Sequence, residues 1–388
     1  MSKLQAAVIG AGFMGRTHVE ALRRLGSVEV ASVAGISEAE AQSFAAAMGV
    51  PKAARNVDEI LADPAIHGIH ICTPNATHFP IAMKALQAGK HVLCEKPLAM
   101  SAEEARQMQA LADKNKLCHA TNHNLRYYGA TQQIRRMIQN GDLGEILIVQ
   151  GTYSQDWLLY ETDFNWRILR KHNGPLRVVG DIGSHWMDMI QHVTGLAITR
   201  LCADLNIVHK TRKQPKVAVE TFAGKTLKPE DYNTVKIDTE DFGMVLLHLG
   251  PRCRGAYTVS QVSAGCKNRF EIQIFGTKAG VIWNQERPEE LWIGRRNEPN
   301  GLLLKDASLF YPEAAGYVDY PGGHAEGYPD THKMLFKRFW ARVADPKTPV
   351  EYPTFADGLR GMELLEKIIE SNKTRGWVDC APAKKTKK

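Results

Sequence analysis

The stretch Gly10-Ala11-Gly12-Phe13-Met14-Gly15 follows an apolar run at residues 6–10 and precedes a helical pattern at residues 16–25. A glycine-rich turn between a strand and a helix is the setting in which this motif binds the pyrophosphate of a dinucleotide. The first glycine permits a tight turn, the second lets the backbone approach the ligand, and the third allows close helix packing. The helix N-terminus offers free N–H groups to an anion. We therefore expect a Rossmann domain whose dinucleotide site includes Phe13 and Met14.

The strand and helix alternation continues through residues 1–122. Strand-like runs and helical patterns follow one another at residues 28–33, 38–48, 69–72, 77–88, 92–94 and 101–115. Ser101 and Glu104 form a capping box at the start of one helix, and Gly89 is suited to the end of another. Such alternation is typical of a doubly wound parallel sheet. We predict that residues 1–122 form the Rossmann domain.

The rhythm changes after a helix predicted at residues 130–140. Strand-rich stretches without intervening helices then dominate, at residues 146–153, 198–208, 234–249, 255–262 and 269–275. Successive strands of this kind indicate a large, mostly antiparallel sheet. A last amphipathic helix is predicted at residues 355–370. Residues 123–382 are therefore expected to form a second, α+β domain, followed by a basic, disordered tail at residues 383–388.

Composition excludes several classes of protein. Of the net charge of +7 in 388 residues, four lysines lie in the tail, which leaves about +3 and argues against a nucleic-acid partner. No run approaches the roughly 18 apolar residues that span a membrane, and no leader-like segment precedes the first strand, so a cytoplasmic protein is expected. Seven scattered cysteines make no CxxC pair. His119 and His123 lack a third ligand, so no metal is expected.

The end of the second strand bears on the choice of cofactor. An acid about 20 residues after the glycine motif usually binds the adenosine ribose. This chain reads Val33-Ala34-Gly35-Ile36-Ser37 there, and we expect Gly35 and Ser37 beside the ribose. The missing acid leaves NADP open, but no arginine follows to bind a 2′-phosphate, so NAD is favoured.

Two further segments carry groups that can move a proton. Lys96, in Cys94-Glu95-Lys96-Pro97-Leu98, follows a strand at the carboxyl edge of the sheet, where open α/β folds bind ligands, so we expect it in the cofactor site beside the nicotinamide. Asp181 and His185 are four residues apart and share one face if their segment is helical. Each also has a plainer interpretation. Lys96 could be a surface lysine, and the pair could be a capping aspartate with a core histidine.

Taken together, these motifs resemble the Gfo/Idh/MocA family of oxidoreductases over nearly the whole chain. The matching segments occur in the family's order: the glycine motif, Thr73-Pro74-Asn75 with His78, Glu95-Lys96-Pro97, and Asp181 with His185. The resemblance implies that the Thr73 segment, His78 and Glu95 contribute to the cofactor site and that the Lys96–Pro97 bond is cis. It also implies that Lys96, Asp181 and His185 face the substrate hydroxyl, and that the second domain assembles a homodimer or homotetramer through its sheet.

Two segments look like the levoglucosan dehydrogenase and glycoside 3-dehydrogenase branch of that family. They are Asn165-Trp166-Arg167 and residues 322–330. We therefore expect Trp166 and Arg167 at both the cofactor and the substrate, with His324 and Tyr328 at the substrate.

Asn124 and Arg126 begin the second domain. We expect Asn124 at the cofactor and Arg126 at the substrate. A polar network at the domain hinge is the alternative.

The predicted activity is NAD(P)-dependent oxidation of a ring hydroxyl, at C3 by the resemblance, of a neutral sugar, anhydrosugar or glycoside. Either His185 or Lys96 accepts the hydroxyl proton while Asp181 orients the groups. A polyol site also needs polar groups beside aromatic surface, which Trp166 and Tyr328 supply. Two alternatives stay open: a redox-neutral family enzyme that regenerates its cofactor in each cycle, and a non-catalytic dinucleotide sensor.

Overall fold

The structure is a computed structural model that describes residues 3–216 and 229–382. The chain forms two compact units, Met1–Tyr127 with Gly327–Met362, and Tyr128–Glu326 with Glu363–Lys388. The predicted disordered tail at residues 383–388 lies outside the described residues. Within the described ranges, no helix is long and apolar enough to cross a membrane.

The first unit is built on a parallel sheet of six strands. Its N-terminal elements are β1 (Leu4–Ile9), α1 (Phe13–Arg23), β2 (Val28–Ala34), α2 (Glu38–Met48), β3 (Lys52–Ala53), α3 (Val57–Ala62), β4 (Gly68–Ile71), α4 (His78–Gln87), β5 (His91–Cys94), α5 (Ala102–Lys114) and β6 (His119–Thr121). The strand order is β3-β2-β1-β4-β5-β6, and every pair is parallel. The order reverses between β1 and β4, which is where open α/β sheets bind ligands. The predicted Rossmann fold is confirmed, although α1 begins inside the glycine motif rather than at residue 16.

The second unit contains a nine-stranded sheet. Its elements, in chain order from the first unit onward, are α6 (Gly129–Gln139), β7 (Ile146–Ser154), α7 (Arg170–Asn173), α8 (Ser184–Thr194), β8 (Ile198–Asn206), β9 (Thr211–Pro215), β10 (Tyr232–Lys236), β11 (Phe242–Leu249), β12 (Cys253–Ser260), β13 (Arg269–Gly276), β14 (Gly280–Asn284), β15 (Glu290–Gly294), β16 (Gly301–Leu304) and α9 (Pro312–Ala315). The chain ends with α10 (Tyr328–Ala344), α11 (Phe355–Thr374) and β17 (Val378–Asp379). The sheet order is β16-β15-β14-β13-β7-β12-β11-β8-β17, and β7 and β12 are its parallel pair. The prediction of a mostly antiparallel sheet is confirmed.

The strand-rich stretch predicted at residues 234–249 contains two strands that belong to different sheets. It divides into β10, which pairs with β9 in a separate two-stranded sheet, and β11 of the large sheet. Between them Asp241 lies fully buried, with Oδ2 3.1 Å from a guanidinium nitrogen of Arg177 and 3.5 Å from one of Arg212. Buried charges of this kind need partners, and the guanidinium groups of Arg177 and Arg212 supply them.

The helix α10 was not predicted, and it accounts for a difference in domain boundaries. Residues 327–362 group with the first unit, whereas the sequence placed all of residues 123–382 in the second domain. Phe336, Phe339 and Trp340 of α10 are fully or almost fully buried, and their rings contact the ring of His70 on β4. This apolar face of α10 belongs to the core of the first unit.

Candidate active site

The glycine motif joins β1 to α1 and leaves an open backbone surface at its centre. Gly10 has a φ of +114°, and its N–H donates to the carbonyl oxygen of Ala34 at 2.8 Å. A Cβ on Gly10 would lie 2.6 Å from the carbonyl oxygen of Cys72. A Cβ on Gly15 would overlap the carbonyl oxygen of Gly10. A Cβ on Gly12, which precedes α1, would meet no heavy atom of the described residues within 4 Å. Gly12 therefore leaves room for a pyrophosphate at the helix N-terminus.

The end of β2 carries the two residues predicted beside the adenosine ribose. Ser37 is the N-cap of α2, and its Oγ accepts a hydrogen bond from the backbone N–H of Glu40 at 3.2 Å. Gly35 has no side chain, and a Cβ there would overlap Oε2 of Glu40. The strand itself has no acidic side chain at its end, but Glu40 of α2 places its carboxylate there.

His78 joins the loops at the carboxyl ends of β4 and β5. The buried ring has Nε2 2.9 Å from the carbonyl oxygen of Thr73 and Nδ1 2.9 Å from that of Pro97. Burial lowers the pKa of His78, although the two carbonyls act in the opposite direction. Carbonyl oxygens only accept, so the neutral ring donates to one of these two carbonyls, and the buried ring lies between the two loops. The Lys96–Pro97 bond is cis, as the resemblance implies.

Glu95 lies at the centre of a buried hydrogen-bond network. Its Oε1 lies 2.9 Å from Nε2 of His18 and accepts from Nδ2 of Asn122 at 2.5 Å. Its Oε2 accepts from the backbone N–H of Lys96 at 3.2 Å. Burial alone would raise the pKa of Glu95, but the hydrogen bond from His18 and the charge of Lys96 lower it to about 2. An ionised carboxylate therefore fixes the backbone at Lys96.

The direction of each hydrogen bond in this network follows from one indole. Nε1 of Trp340 donates to Nε2 of His70 at 3.0 Å, and Nδ1 of His70 lies 2.9 Å from Nδ1 of His18. Because the indole only donates, the proton of His70 sits on Nδ1 and points to His18. His18 then carries its proton on Nε2 and donates it to Glu95. Burial lowers the pKa of His70 well below its ordinary value, which agrees with a neutral ring. In this donor chain Trp340 therefore donates to His70, His70 donates to His18, and His18 donates to Glu95.

Asn124 and Arg126 form polar contacts within the first unit. Nδ2 of Asn124 donates to Oγ1 of Thr331 at 2.8 Å, and a guanidinium nitrogen of Arg126 donates to Oδ1 of Asp357 at 2.8 Å. Both side chains are buried. They connect the segment after β6 to residues of α10 and α11, as in the polar-network alternative. Their contacts with cofactor and substrate stay predictions.

Tyr328 lies beside the glycine motif in the first unit. Its hydroxyl group donates to Sδ of Met14 at 3.7 Å, while Phe13 next to it is 55% exposed. Asp330 accepts from a guanidinium nitrogen of Arg24 at 2.5 Å. The start of α10 therefore contacts α1, on the predicted cofactor side of the unit. The predicted contact of Tyr328 with substrate is a separate matter and stays a prediction.

Asp181 and His185 lie on one helical segment of the second unit, as expected. A π-helix at Val179–Gly183 carries Asp181 and leads directly into α8, whose second residue is His185. Single π-helical turns are frequent at functional sites. Oδ2 of Asp181 accepts from Nε2 of Gln261 at 2.8 Å. Both predicted residues are buried, and the His185 ring lies 6.3 Å from that of Tyr153.

Glu240 holds the beginning of this helical segment. Its Oε1 accepts from the backbone N–H groups of Arg177 at 2.9 Å and Val179 at 3.0 Å. Burial raises the pKa of Glu240 to about 7, although these N–H groups lower it. A buried side chain thus fixes the turn from which Asp181 projects.

Arg167 lies next to Asp181, and its guanidinium group lies over the ring of Trp166. Nε of Arg167 is 3.7 Å from Oδ1 of Asp181, and the guanidinium carbon is 4.5 Å from the centre of the Trp166 ring. Oδ1 of Asn165 accepts from the backbone N–H of Arg167 at 3.1 Å. The structure therefore groups a cation, a carboxylate and an aromatic face, which is the mixture that a sugar site uses.

His324 is exposed in a loop of the second unit that Lys305 organises. Nζ of Lys305 donates to the carbonyl oxygen of His324 at 2.6 Å. The same ammonium group lies 3.0 Å from a carboxylate oxygen of Glu326 and 3.2 Å from one of Glu289. The loop backbone is thus held by a buried lysine, and the contact of His324 with substrate stays a prediction.

The sequence reasoning missed the donor chain and its neighbour Asn122. One signal was available: all four residues of β4 are buried, and His70 is polar. A polar side chain inside such a strand needs a hydrogen-bond partner. In residues 3–216 and 229–382, no group of three or more His, Cys, Asp or Glu is arranged to hold a metal ion. His119 instead lies 3.1 Å from a carboxylate oxygen of Asp113.

Comparison with known proteins identifies two matching family models. Residues 4–123 match the oxidoreductase family model with an NAD-binding Rossmann fold, and residues 131–282 match the Gfo/Idh/MocA C-terminal domain. The chain is 28% identical to levoglucosan dehydrogenase of Pseudarthrobacter phenanthrenivorans, over 98% of each chain. It is 27% identical to glucose-6-phosphate 3-dehydrogenase of Bacillus subtilis, over 94% of this chain and 95% of that protein.

Solved structures agree with the sequence comparisons. Levoglucosan dehydrogenase in complex with NADH and L-sorbose superposes with a TM-score of 0.88 at 26% identity, covering 99% of this chain and all of that one (100%). Its complex with NADH and levoglucosan gives a TM-score of 0.87 at 26% identity, with 98% and 100% coverage. The chain therefore belongs to the Gfo/Idh/MocA family of oxidoreductases and carries its NAD-binding Rossmann fold.

Proposed function

We propose that this protein is a dehydrogenase that oxidises a ring hydroxyl, at C3, of a neutral sugar, anhydrosugar or glycoside. The observation that carries the proposal is the position of Lys96 at the carboxyl end of β5, with its backbone bonded to the ionised Glu95. Ligands of open α/β sheets bind at that edge. The glycine motif fits NAD, because Gly12 leaves a surface that a Cβ would fill.

The residues of this chain supply position and proton transfer. The chemistry that NAD supplies when bound is acceptance of a hydride from a C–H bond. Lys96 hydrogen-bonds to the substrate hydroxyl and stabilises the negative charge that grows on its oxygen as the proton leaves. Lys96 and His185 are the two candidate acceptors of that proton. The family resemblance assigns Asp181 and His185 of the second unit to the same hydroxyl, and this assignment stays a prediction.

The substrate class is supported by the relatives and by local chemistry. Levoglucosan dehydrogenase and glucose-6-phosphate 3-dehydrogenase are named for sugar substrates. The group of Trp166, Arg167 and Asp181 offers an aromatic face beside hydrogen-bonding side chains. A pyranose presents an apolar ring face and several hydroxyls, so it suits this combination.

A substrate panel tests the proposal. Levoglucosan, glucose, alkyl glucosides, inositols and glucose 6-phosphate would be incubated with NAD⁺, and reduced nicotinamide followed by absorbance. We expect reduction of NAD⁺ with a neutral sugar and a 3-keto product by NMR. Turnover of glucose 6-phosphate alone would contradict the neutral substrate, while substrate conversion without reduced nicotinamide would support a retained cofactor.

Replacement of Lys96 tests the mechanism. Lys96→Met should lower kcat by roughly 10²- to 10⁴-fold, the usual contribution of an acid-base group, with little change in the Kd for NAD⁺. Stopped-flow kinetics and calorimetric binding measure the two quantities. A kcat close to that of the unmodified protein would remove Lys96 from the mechanism. The control is Lys84→Met, because the side chain of Lys84 is exposed. Lys90 is unsuitable as a control position, because its ammonium group donates to the carbonyl oxygens of Asp63 and Ile66.

We also propose that the large sheet assembles a homo-oligomer. The side chains of Ile148, Met244 and Leu246 are 47%, 44% and 49% exposed. The registers of β11 on β12 and of β12 on β7 place Leu246 in one row with Ala256 and Gln150, next to the row of Met244. Apolar side chains gathered on one sheet face are typical of a protein interface.

A further inference from the structure

The strand β2 ends at a residue that lacks the acid expected there. Gly35 stands where a side chain carboxylate usually binds the adenosine ribose of a dinucleotide. A Cβ on Gly35 would overlap Oε2 of Glu40 and lie 3.2 Å from its Cδ. We propose that Glu40 takes the place of the missing acid, binds the ribose 2′-hydroxyl and so selects NAD over NADP.

The position of the Glu40 carboxylate is fixed by the backbone. Its Oε2 accepts from the N–H of Ile36 at 2.6 Å, and its own N–H donates to Oγ of Ser37 at 3.2 Å. The residue is exposed, and within the described ranges Oε1 has no hydrogen-bond partner. One oxygen of the carboxylate thus holds the side chain at the end of β2, while the other can accept from a ligand.

Helix capping explains why a glutamate occurs here, but it does not explain the glycine. In α5 the same arrangement occurs: Oε2 of Glu104 accepts from the N–H of Met100 at 2.9 Å, and Ser101 is the N-cap. The residue that corresponds to Gly35 in this arrangement is Ala99.

The helix α3 repeats the arrangement a third time. Oε2 of Glu59 accepts from the N–H of Arg55 at 3.0 Å, Asn56 is the N-cap, and the corresponding residue is Ala54. Capping therefore tolerates a Cβ at this position in two helices. At the end of β2 the Cβ is absent, and the carboxylate lies in the space that it would occupy.

The chemistry of a carboxylate at this point discriminates between the two cofactors. An ionised carboxylate accepts a hydrogen bond from the 2′-hydroxyl of NAD and repels the 2′-phosphate of NADP. The absence of a Cβ at Gly35 leaves Glu40 the space that it occupies. The inference rests on the proposed function, because it needs the dinucleotide to bind along β1 and β2.

Calorimetric titration of the full chain with NAD⁺ and with NADP⁺ tests the inference without reference to catalysis. The variants are Glu40→Gln and, as a matched capping control, Glu104→Gln. We expect the unmodified protein to prefer NAD⁺, and Glu40→Gln to lower the ratio of NAD⁺ to NADP⁺ affinity by roughly 10- to 100-fold, the loss of one charged hydrogen bond. Glu104→Gln should leave that ratio unchanged, and because a glutamine oxygen can accept from the same backbone N–H, both variants should keep their helix caps.

Each remaining outcome separates the inference from the proposed function. An unchanged affinity ratio in Glu40→Gln, or a preference of the unmodified protein for NADP⁺, would overturn the role of Glu40. An equal change in Glu104→Gln would also overturn it, because the effect would then belong to capping. A protein that binds neither dinucleotide contradicts the proposed function instead.

Discussion

Removing the charge of Glu95 should lower the Tm of the protein at neutral pH. It should also reduce the amount by which the Tm falls between neutral and acidic pH. Glu95→Gln keeps one oxygen that can accept from His18 and Asn122, while it removes the negative charge and the second oxygen, which accepts from the Lys96 N–H. The carboxylate is buried, and its pKa is lowered from 4.5 to about 2. A carboxyl group whose pKa is lower in the folded state stabilises the fold above its unfolded pKa of 4.5. This contribution is lost as the pH falls from there through about 2.

The size of the effect follows from that shift. A difference of about 2.5 pKa units at about 1.36 kcal/mol per unit gives about 3 kcal/mol at neutral pH. For a unit of roughly 150 to 250 residues, this corresponds to a loss of about 6 to 12 °C in Tm. The difference between the two proteins should therefore be largest at neutral pH and nearly absent at about pH 2.

Calorimetry of both proteins over a series of pH values measures this difference. Glu59→Gln is the matched control, because the pKa of Glu59 is also lowered to about 2, in its case by exposed hydrogen bonds from Arg55 and Lys52. Salt should weaken the effect of Glu59→Gln and leave that of Glu95→Gln nearly intact, since burial limits screening. A loss of Tm in Glu95→Gln that stays constant as the pH falls would refute an ionised, stabilising Glu95.

Two further predictions follow from the glycine motif and the large sheet. Gly12→Ala should leave the Tm within about 2 °C, because its Cβ meets no described atom within 4 Å, yet weaken NAD⁺ binding at least ~10-fold by filling the pyrophosphate surface. Calorimetric Kd values measure this effect, and an unchanged Kd would show that the pyrophosphate binds elsewhere. Leu246→Lys should convert the proposed oligomer to a monomer by placing a charge in an apolar interface. Size-exclusion chromatography with light scattering reports the mass, and a particle that keeps the assembled mass would exclude this face as the interface.

Local patterns in the sequence predicted the features that depend on neighbouring residues. The glycine motif, the Ser101 cap of α5 and the alternation of the first sheet are all visible within a few residues, because turns and caps are short-range. The split of residues 234–249 was not visible in this way. The buried Asp241 between the two strands has its partners Arg177 and Arg212 at distant positions in the chain, so no local pattern reveals them.

In the candidate site too, residues of a contiguous motif were predicted and their partners from distant elements were not. Lys96 and Glu95 were identified from a contiguous motif, whereas the partners of Glu95 come from separate elements. His18 lies on α1, His70 on β4 and Trp340 on α10, so no contiguous motif contains them. The acid at the end of β2 was also missed, since Glu40 reaches Gly35 from the next helix and not from the strand.

The discontinuity of the first unit has a consequence for protein synthesis. The strands β1 to β6 leave the ribosome early, but α10, which supplies Phe336 and Trp340 to their core, follows only after residues 128–326. At roughly 5 to 20 residues per second, this delay is about 10 to 40 s. During that time the first unit lacks the helix that covers His70. The nascent chain therefore exposes an incomplete apolar surface for longer than a unit built from one continuous segment, and a chaperone that binds apolar segments has that interval in which to act.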